Sequence, residues 1–303
     1  MHNIFTKLSL VFILALFISA CDTNCLSVSD EELEKIGQLI FINEGAGKVE
    51  NLTTWNEGEE FASLGIGHFI WYPKDKQYRF YEIFPVVYEF IKSQGANPPE
   101  WMEEMPSFDL PWDSRQEFYS DFQTPQMVSL RQFLLKTIPQ QSLFMAGRLE
   151  KSLPKILKAA PGGSREHIKK QFYRVANSPM GIYVLIDYVN FKGEGTLETE
   201  RYNGQGWGLL QVLEGMEGTQ EGLPALEEFA AGANRVLLRR VSNSPSERGE
   251  KRWIPGWQNR IKTYTSQDVA LYYESGSQTT EIDYSNLSEA IQRIYRNLVC
   301  GLR

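Results

Sequence analysis

Apolar residues recur at helical spacing where the folded part of the chain begins. Ser29 precedes this stretch and can cap a helix, with Glu32 reaching back to complete a capping box. Gly45 supplies a break, so we predict a helix that ends near Asn43 and projects Glu44 from its last turn into the cleft that follows. The stripe that this helix would bury consists of Leu33, Ile36, Leu39 and Ile40.

The pattern changes to one typical of strands over residues 60–72, where aromatic and β-branched residues are interrupted by Gly65 and Gly67. Glycines inside a strand indicate a bulge or the close approach of another group, which here we expect to be substrate. Residues 73–125 are rich in proline and aromatic residues and are predicted to be an insertion beside the cleft, with one helical piece at 80–93.

The remaining chain is predominantly helical in pattern. Residues 160–164 form the clearest internal break, residues 181–190 fit either a helix or a buried strand, and a second glycine-rich block covers 202–211. The predicted fold class is therefore α+β and mostly helical, with a small glycine-rich hairpin. The other predicted helices cover residues 126–157, 165–175, 223–241 and 285–298.

The chain begins with a short apolar segment over residues 8–20, which suits a signal peptide better than a membrane span. The run Ile18-Ser19-Ala20-Cys21 resembles a bacterial lipobox, in which the cysteine is lipidated; an ordinary secretory signal is the alternative. We predict a signal peptide at 1–20, a tether at 21–28 and one folded domain at 29–303. Asp22, directly after the predicted lipidation site, slightly favours retention of the lipoprotein in the inner membrane. Cys25 and Cys300 could form a disulfide or remain free thiols.

Composition excludes several classes of protein. The 303 residues are 42% hydrophobic and 23% charged, which is typical of a folded chain, and the net charge of −7 without a basic stripe argues against nucleic acid. There is no nucleophile elbow, phosphate-binding loop or dinucleotide fingerprint. His68 has no histidine or cysteine near it in the sequence, so neither a metal site nor any cofactor is predicted.

The run Glu44-Gly45, Glu57 and Ser63-Leu64-Gly65-Ile66-Gly67-His68 resembles the active-site segment of phage-type lysozymes and endolysins. The resemblance implies a lysozyme-like fold, with Glu44 as the general acid, Glu57 as the second carboxylate and Ser63 in place of the family's threonine. The chain departs from the pattern in having Glu57 for aspartate, serine for threonine and a longer loop. The segment from Trp253 to Tyr264 resembles the family's C-terminal helices only loosely.

The run Gly206-Trp207-Gly208-Leu209-Leu210-Gln211 is similar to an element of soluble lytic transglycosylases, which share the lysozyme-like fold. This second resemblance would make Glu194 the acid, with Trp207 stacking on a sugar and Gln211 in the substrate groove. The two resemblances imply the same substrate class but different acids. Glu44 is favoured because its match includes the hydroxyl and the Gly-x-Gly-His together.

Cleavage of a glycosidic bond requires one protonated carboxyl and a second, charged carboxylate or an activated water. Apolar neighbours such as Phe41 and Phe69 are expected to keep Glu44 protonated, whereas Glu57 lies in a polar segment and should stay ionised. Ser63 could orient the water.

Gly65, Gly67 and His68 are substrate-contact candidates, although His68 could instead be a structural histidine hydrogen-bonded behind the hairpin. The sequence thus predicts a muramidase-like hydrolase that acts on peptidoglycan glycan strands at the periplasmic face of a membrane, held there through Cys21. A lytic transglycosylase and a non-catalytic wall-binding lipoprotein are the alternatives.

Overall fold

The computed structural model describes residues 26, 28–76 and 80–274. The predicted signal peptide, nearly all of the tether, Cys21, Cys25, Cys300 and the helix predicted over residues 285–298 lie outside the described residues.

Helices predominate in the described part of the chain, and the strands are short. The helices are α1 (Asp30–Gly45), α2 (Phe84–Ser93), α3 (Glu100–Glu103), α4 (Arg115–Ser120), α5 (Pro125–Lys136), α6 (Ile138–Ala159), α7 (Arg165–Ala176), α8 (Gly181–Lys192), α9 (Leu209–Glu214), α10 (Leu223–Asn243), α11 (Ile254–Lys262) and α12 (Gln267–Glu274). The strands are β1 (Thr53–Thr54), β2 (Ala62–Leu64), β3 (Phe69–Trp71), β4 (Arg201–Tyr202) and β5 (Gln205–Gly206). The predicted α+β, mostly helical class is confirmed.

Helix α1 begins as the sequence predicts. The Ser29 hydroxyl accepts a hydrogen bond from the Glu32 amide at 3.2 Å, and the acidic first turn suits the positive end of the helix dipole. The helix continues to Gly45, two residues beyond the predicted end, and Ala46 closes it with a left-handed φ of 51°. Gly37 lets α6 approach closely, since a Cβ there would lie 2.4 Å from the Ser142 hydroxyl. The acid of the last turn is therefore carried on a helix that is packed tightly against α6.

Strands β1, β2 and β3 form an antiparallel sheet in that order, with Ser63 paired to both Thr54 and Ile70. The tight turn after β2 has a left-handed Gly65 (φ 68°), where a Cβ would lie 2.3 Å from Gln141 Oε1. That oxygen accepts the Ile66 amide at 2.9 Å. The group that approaches Gly65 is thus a side chain of α6, not substrate as the sequence suggested.

The single helix predicted over residues 126–157 is two helices, α5 and α6, which meet at Thr137. Pro139 lies in the first turn of α6, where its missing N–H costs little, but it could not donate within a continuous helix. The Thr137 hydroxyl donates to the Phe133 carbonyl at 2.8 Å and satisfies an oxygen at the end of α5. The break therefore has a local cause.

The predicted insertion at 73–125 packs onto the hairpin rather than standing apart from it. The ring of Phe108 stacks on Trp71 of β3 at 5.0 Å and on Tyr88 of α2 at 4.3 Å. The Leu110 amide donates to the Tyr72 carbonyl at 2.8 Å. The helix predicted at 80–93 begins later, at Phe84, and residues 80–83 precede it, with the Ile83 amide donating to the Ile70 carbonyl of β3 at 3.2 Å.

Helix α8 settles the choice that the sequence left open at residues 181–190, which are helical. Its start is compact, because a Cβ on Gly181 would meet the Val175 carbonyl oxygen at 1.7 Å. Buried apolar side chains from Leu26 to Tyr264 form one cluster, in which most of α8 is buried. Among the described residues no helix combines the length and apolar character that a membrane crossing requires.

Candidate active site

A cleft of about 230 Å³ opens between the β2–β3 hairpin, α6 and α8. Backbone and polar groups of the hairpin form one side of it, and the two helices contribute apolar side chains, a guanidinium and an amide. The lining residues are Gly67, His68, Ile70, Tyr81, Ile83, Met145, Arg148, Leu149, Ile186, Val189 and Asn190.

Glu44 lies beside this cleft, in the last turn of α1, with its side chain 13% exposed. One carboxylate oxygen accepts hydrogen bonds from Arg260 at 2.5 Å and from Asn190 at 3.1 Å. The other oxygen lies 3.5 Å from Nδ1 of His68. His68 and Asn190 both line the cleft, so Glu44 contacts two residues of the cleft wall.

Arg260 is held by a second, deeper carboxylate. Asp187 of α8 is fully buried and accepts two hydrogen bonds from Arg260, each at 2.8 Å, and one from the Tyr264 hydroxyl at 2.6 Å. Burial opposes the charge on Arg260, but Asp187 and then Glu44 outweigh it, so the pKa of Arg260 is raised well above its ordinary value. Burial and the Asp187 charge raise the pKa of Tyr264, which therefore remains a donor.

Asn43, the neighbour of Glu44, extends the same network. Its amide donates to the Tyr183 hydroxyl at 2.7 Å and to Asp187 at 3.3 Å. Tyr183 in turn shares a 2.8 Å hydrogen bond with Thr263 of the segment after α11. Side-chain hydrogen bonds thus join the last turn of α1 to α8, and through α8 to Thr263 just after α11.

The surroundings of Glu44 differ from those predicted. Phe41 and Phe69 are buried core residues, and the carboxylate is held instead by a guanidinium, an amide and an imidazole. Asn190 and Arg260 lie 146 and 216 positions away along the chain, which is why local sequence could not reveal them. The one sequence feature that could have pointed to Arg260 was the cluster of tryptophan and arginine around it, which resembles the C-terminal helices of phage-type lysozymes only loosely.

His68 lies in the cleft, not behind the hairpin as the structural interpretation proposed. Its backbone is left-handed, with φ 47°, and its side chain is 37% exposed. Gly67 precedes it and has no room for a side chain, because a Cβ would lie 2.4 Å from the Phe69 ring. The Gly-x-Gly-His turn therefore directs the imidazole towards Glu44.

Glu57 and Ser63 have different environments. Glu57 is exposed in the loop between β1 and β2 and makes no ion pair or side-chain hydrogen bond with other described residues. In the same loop, Asn56 donates to the carboxylate of Glu59 at 3.1 Å. Ser63 is buried in the middle of the sheet and is paired with Ile70, which lines the cleft. Neither residue contacts Glu44 through a hydrogen bond within the described chain.

The second glycine-rich block is turned inwards. Trp207 is 8% exposed, its ring lies 4.8 Å from that of Tyr202, and the Arg240 guanidinium lies 4.2 Å from its centre. Burial leaves it no free face, so the predicted stacking platform is not formed. Gln211 is likewise engaged within the chain, accepting from the Gly208 amide at 2.9 Å and donating to the Gly195 carbonyl at 3.1 Å.

Glu194, the acid that the second resemblance implied, forms an ion pair with Lys155 of α6 at 3.1 Å. Its side chain is 23% exposed and that of Lys155 is 63% exposed, so the pair lies in contact with water. The Glu194 carboxylate is already engaged by a lysine. The structure therefore brings Glu44, not Glu194, together with the hairpin residues of the first motif.

Lys192 is a residue that the sequence analysis missed. Its ammonium lies 3.9 Å from the centre of the Phe191 ring and 3.7 Å from that of Trp257. Burial, followed by the charges of Arg240 and Arg260, lowers the pKa of Lys192 to about 7. No sequence signal distinguishes this lysine, because its neighbours come from α10 and α11.

The described residues contain no group of three or more histidine, cysteine, aspartate or glutamate side chains placed to hold a metal ion. Comparison of the chain with protein-family models, with curated proteins and with solved structures gives no match in any of the three.

Proposed function

We propose that this chain is a peptidoglycan-directed glycoside hydrolase of lysozyme-like fold, with Glu44 as its acid. The observation that carries the proposal is the position of Glu44, at the end of a helix and in contact with two residues that line a cleft. The Gly-x-Gly-His turn that supplies one of these residues is the element on which the sequence resemblance depends.

Of the two carboxylates that Arg260 binds, only Glu44 lies at the cleft. Glu44 and Asp187 both form ion pairs with the Arg260 guanidinium, at 2.5 and 2.8 Å. Asp187 is fully buried and cannot reach a substrate, whereas Glu44 is the carboxylate at the cleft. In this proposal Glu44 is the group that donates a proton to the leaving oxygen of a glycosidic bond.

The buried network gives the acid a fixed orientation. Arg260 is anchored by its two hydrogen bonds to Asp187 and presents a further N–H to Glu44, while Asn190 donates to the same carboxylate oxygen from the cleft wall. A preorganised acid needs no rearrangement when the substrate arrives. In this proposal Glu57 supplies the second carboxylate and Ser63 orients a water, and both roles rest on the sequence resemblance.

The test is digestion of purified peptidoglycan by the wild-type chain and by Glu44→Gln. We expect the substitution to reduce the rate by about 10²–10⁴-fold, the usual contribution of a general acid, while a cooperative unfolding transition is retained. Glu194→Gln is the matched control and should keep wild-type activity, because its carboxylate is paired with Lys155.

The possible results separate the alternatives. Equal rates for Glu44→Gln and wild type would reject Glu44 as the acid. A wild-type chain that binds peptidoglycan without cleaving it would indicate the wall-binding lipoprotein instead. Products with anhydro-sugar ends would indicate a lytic transglycosylase.

A further inference from the structure

Arg148 of α6 places a positive charge on the wall of the cleft. Its side chain lines the cleft, is partly covered by the cleft walls and partly open to solvent, and forms no ion pair with any carboxylate of the described residues. Glu194 is the acid that acts on it most strongly, yet the Glu194 carboxylate is already hydrogen-bonded to Lys155 at 3.1 Å. The guanidinium therefore has donors available to a ligand.

The environment of Arg148 favours pairing with an anion. The pKa of Arg148 is lowered, chiefly because the cleft walls remove part of its water, while Glu194 and Tyr81 act in the opposite direction. A guanidinium that has lost water without gaining a carboxylate is stabilised when a carboxylate binds it, and its planar fork can form two parallel hydrogen bonds.

Tyr81 provides an apolar surface in the same cleft. It lies in the segment just before α2, lines the cleft and is 75% exposed. A ring that keeps this much surface in water has one face available for stacking on a sugar ring. Ile83 and Leu149 extend the apolar wall beside it.

We propose that Arg148 and Tyr81 form a subsite that recognises a carboxylate-bearing glycan, with Tyr81 stacked on a sugar ring and Arg148 paired with the carboxylate. This deepens the proposed function and rests on it, because it names the chemical feature that the cleft selects. Two sources in peptidoglycan carry that chemistry: the lactyl group of a muramic residue freed of its peptide, and the peptide stem itself. A neutral chito-oligosaccharide carries neither.

The experiment compares wild type, Arg148→Gln, Arg148→Lys and the control Arg165→Gln. Arg165 is an exposed residue of α7 outside the cleft, so its substitution makes the same change in net charge. Dissociation constants are measured for intact glycan strands, for strands stripped of peptides and for a chito-oligosaccharide, and KM and kcat are measured on intact strands.

For Arg148→Gln we expect affinity for intact strands to fall by about tenfold, the usual loss when a hydrogen bond to a charged group is removed. KM should rise with kcat unchanged, Arg148→Lys should restore part of the affinity, and Arg165→Gln should match wild type. Affinity for the neutral oligosaccharide should not change. Tyr81→Ala, in contrast, should weaken binding of neutral and acidic glycans alike.

The arms of the experiment identify the source of the carboxylate. A loss on intact strands alone assigns the peptide stem, a loss on stripped strands alone assigns the lactyl group, and a loss on both shows that the subsite accepts either carboxylate. Equal affinities of Arg148→Gln and wild type for all ligands would overturn the inference, as would an equal loss on the neutral oligosaccharide. If the wild-type chain still cleaves peptidoglycan in either case, the proposed function stands and only the subsite is rejected. If the wild-type chain binds acidic strands through Arg148 without cleaving them, the subsite stands and only the proposed function is rejected.

Discussion

Two glycine-rich blocks, each near a glutamate, differ in whether they face a cleft or the protein interior. The block around Gly65 and Gly67 turns its histidine into an open cleft beside Glu44. The block from 202 to 211 buries Trp207, and its Gln211 joins the segment at Gly195 to the start of α9. Both resemble elements of glycan-cleaving enzymes in sequence, yet only the first leaves polar groups facing a cavity.

The difference shows what the glycines do in each block. In the first, Gly65 makes room for the Gln141 side chain of α6, which holds the turn by its amide hydrogen bond to Ile66. In the second, Gly208 and Gly195 bring two backbones together, and a Cβ on Gly208 would lie 2.1 Å from the Gly195 nitrogen. A glycine motif therefore indicates close packing in both places, and the neighbouring elements decide whether a cleft remains.

The largest expected effect is a difference in stability between substitutions of two acids: Asp187, which shares Arg260 with Glu44 near the first block, and Glu194, which lies near the second. Asp187→Asn should lower the free energy of unfolding by about 3–5 kcal/mol, because it removes a fully buried charge that Arg260 and Tyr264 both require. Glu194→Gln breaks only a water-exposed pair and should cost about 0–1 kcal/mol. Urea unfolding of both variants measures the difference, and similar losses would show that the two acids are not set apart by burial.

Backbone crowding in the second block is tested by Gly208→Ala. We expect a loss of about 1–3 kcal/mol, since the new methyl would press on the Gly195 backbone, which cannot move without disturbing the Gln211 bridge. The matched control is Gly147→Ala in α6, where nothing lies within 4 Å of the added Cβ. That change should stabilise the helix by about 1 kcal/mol, so the two substitutions should have opposite signs in thermal or urea unfolding.

A contrast that depends on pH concerns Lys192, the last residue of α8. Its pKa of about 7 in the folded chain lies below the unfolded value of about 10.4, so the unfolded chain binds more protons between these limits. The cost of burying the ammonium is therefore fully present below about pH 7 and disappears as the pH rises to about 10. Lys192→Met should be more stable than wild type near pH 7, with an advantage that shrinks towards pH 10.

The charges that face Lys192 define the control for this measurement. Arg240 and Arg260 lower its pKa in addition to burial, whereas Glu250 and Glu44 act in the opposite direction. The exposed Lys170 has no such neighbours among the described hydrogen bonds and ion pairs, and Lys170→Met should give a difference from wild type that does not change over the same pH range. A Lys192→Met advantage that stays constant with pH would contradict the account.

Sequence patterns predicted the local elements well and the site only in part. The Ser29 cap, the helix that carries Glu44, the glycine turn and the mostly helical class were all accessible, because each depends on residues a few positions apart. The break at Thr137 was missed, although Pro139 was a visible reason for it. The apolar surroundings predicted for Glu44 were wrong, since Phe41 and Phe69 turn into the core.

Short-range chemistry was thus enough to say where α1 begins, that its last turn carries an acid and that a tight turn follows. Whether that acid meets water, an apolar wall or a guanidinium depended on chain segments that come together only on folding: Asn190 is 146 positions away and Arg260 is 216. The same holds for Trp207, because the sequence motif around it does not indicate whether the ring is exposed or buried. Hydrogen bonds and burial act over a few ångströms in space, and no local pattern records which distant residues will occupy that space.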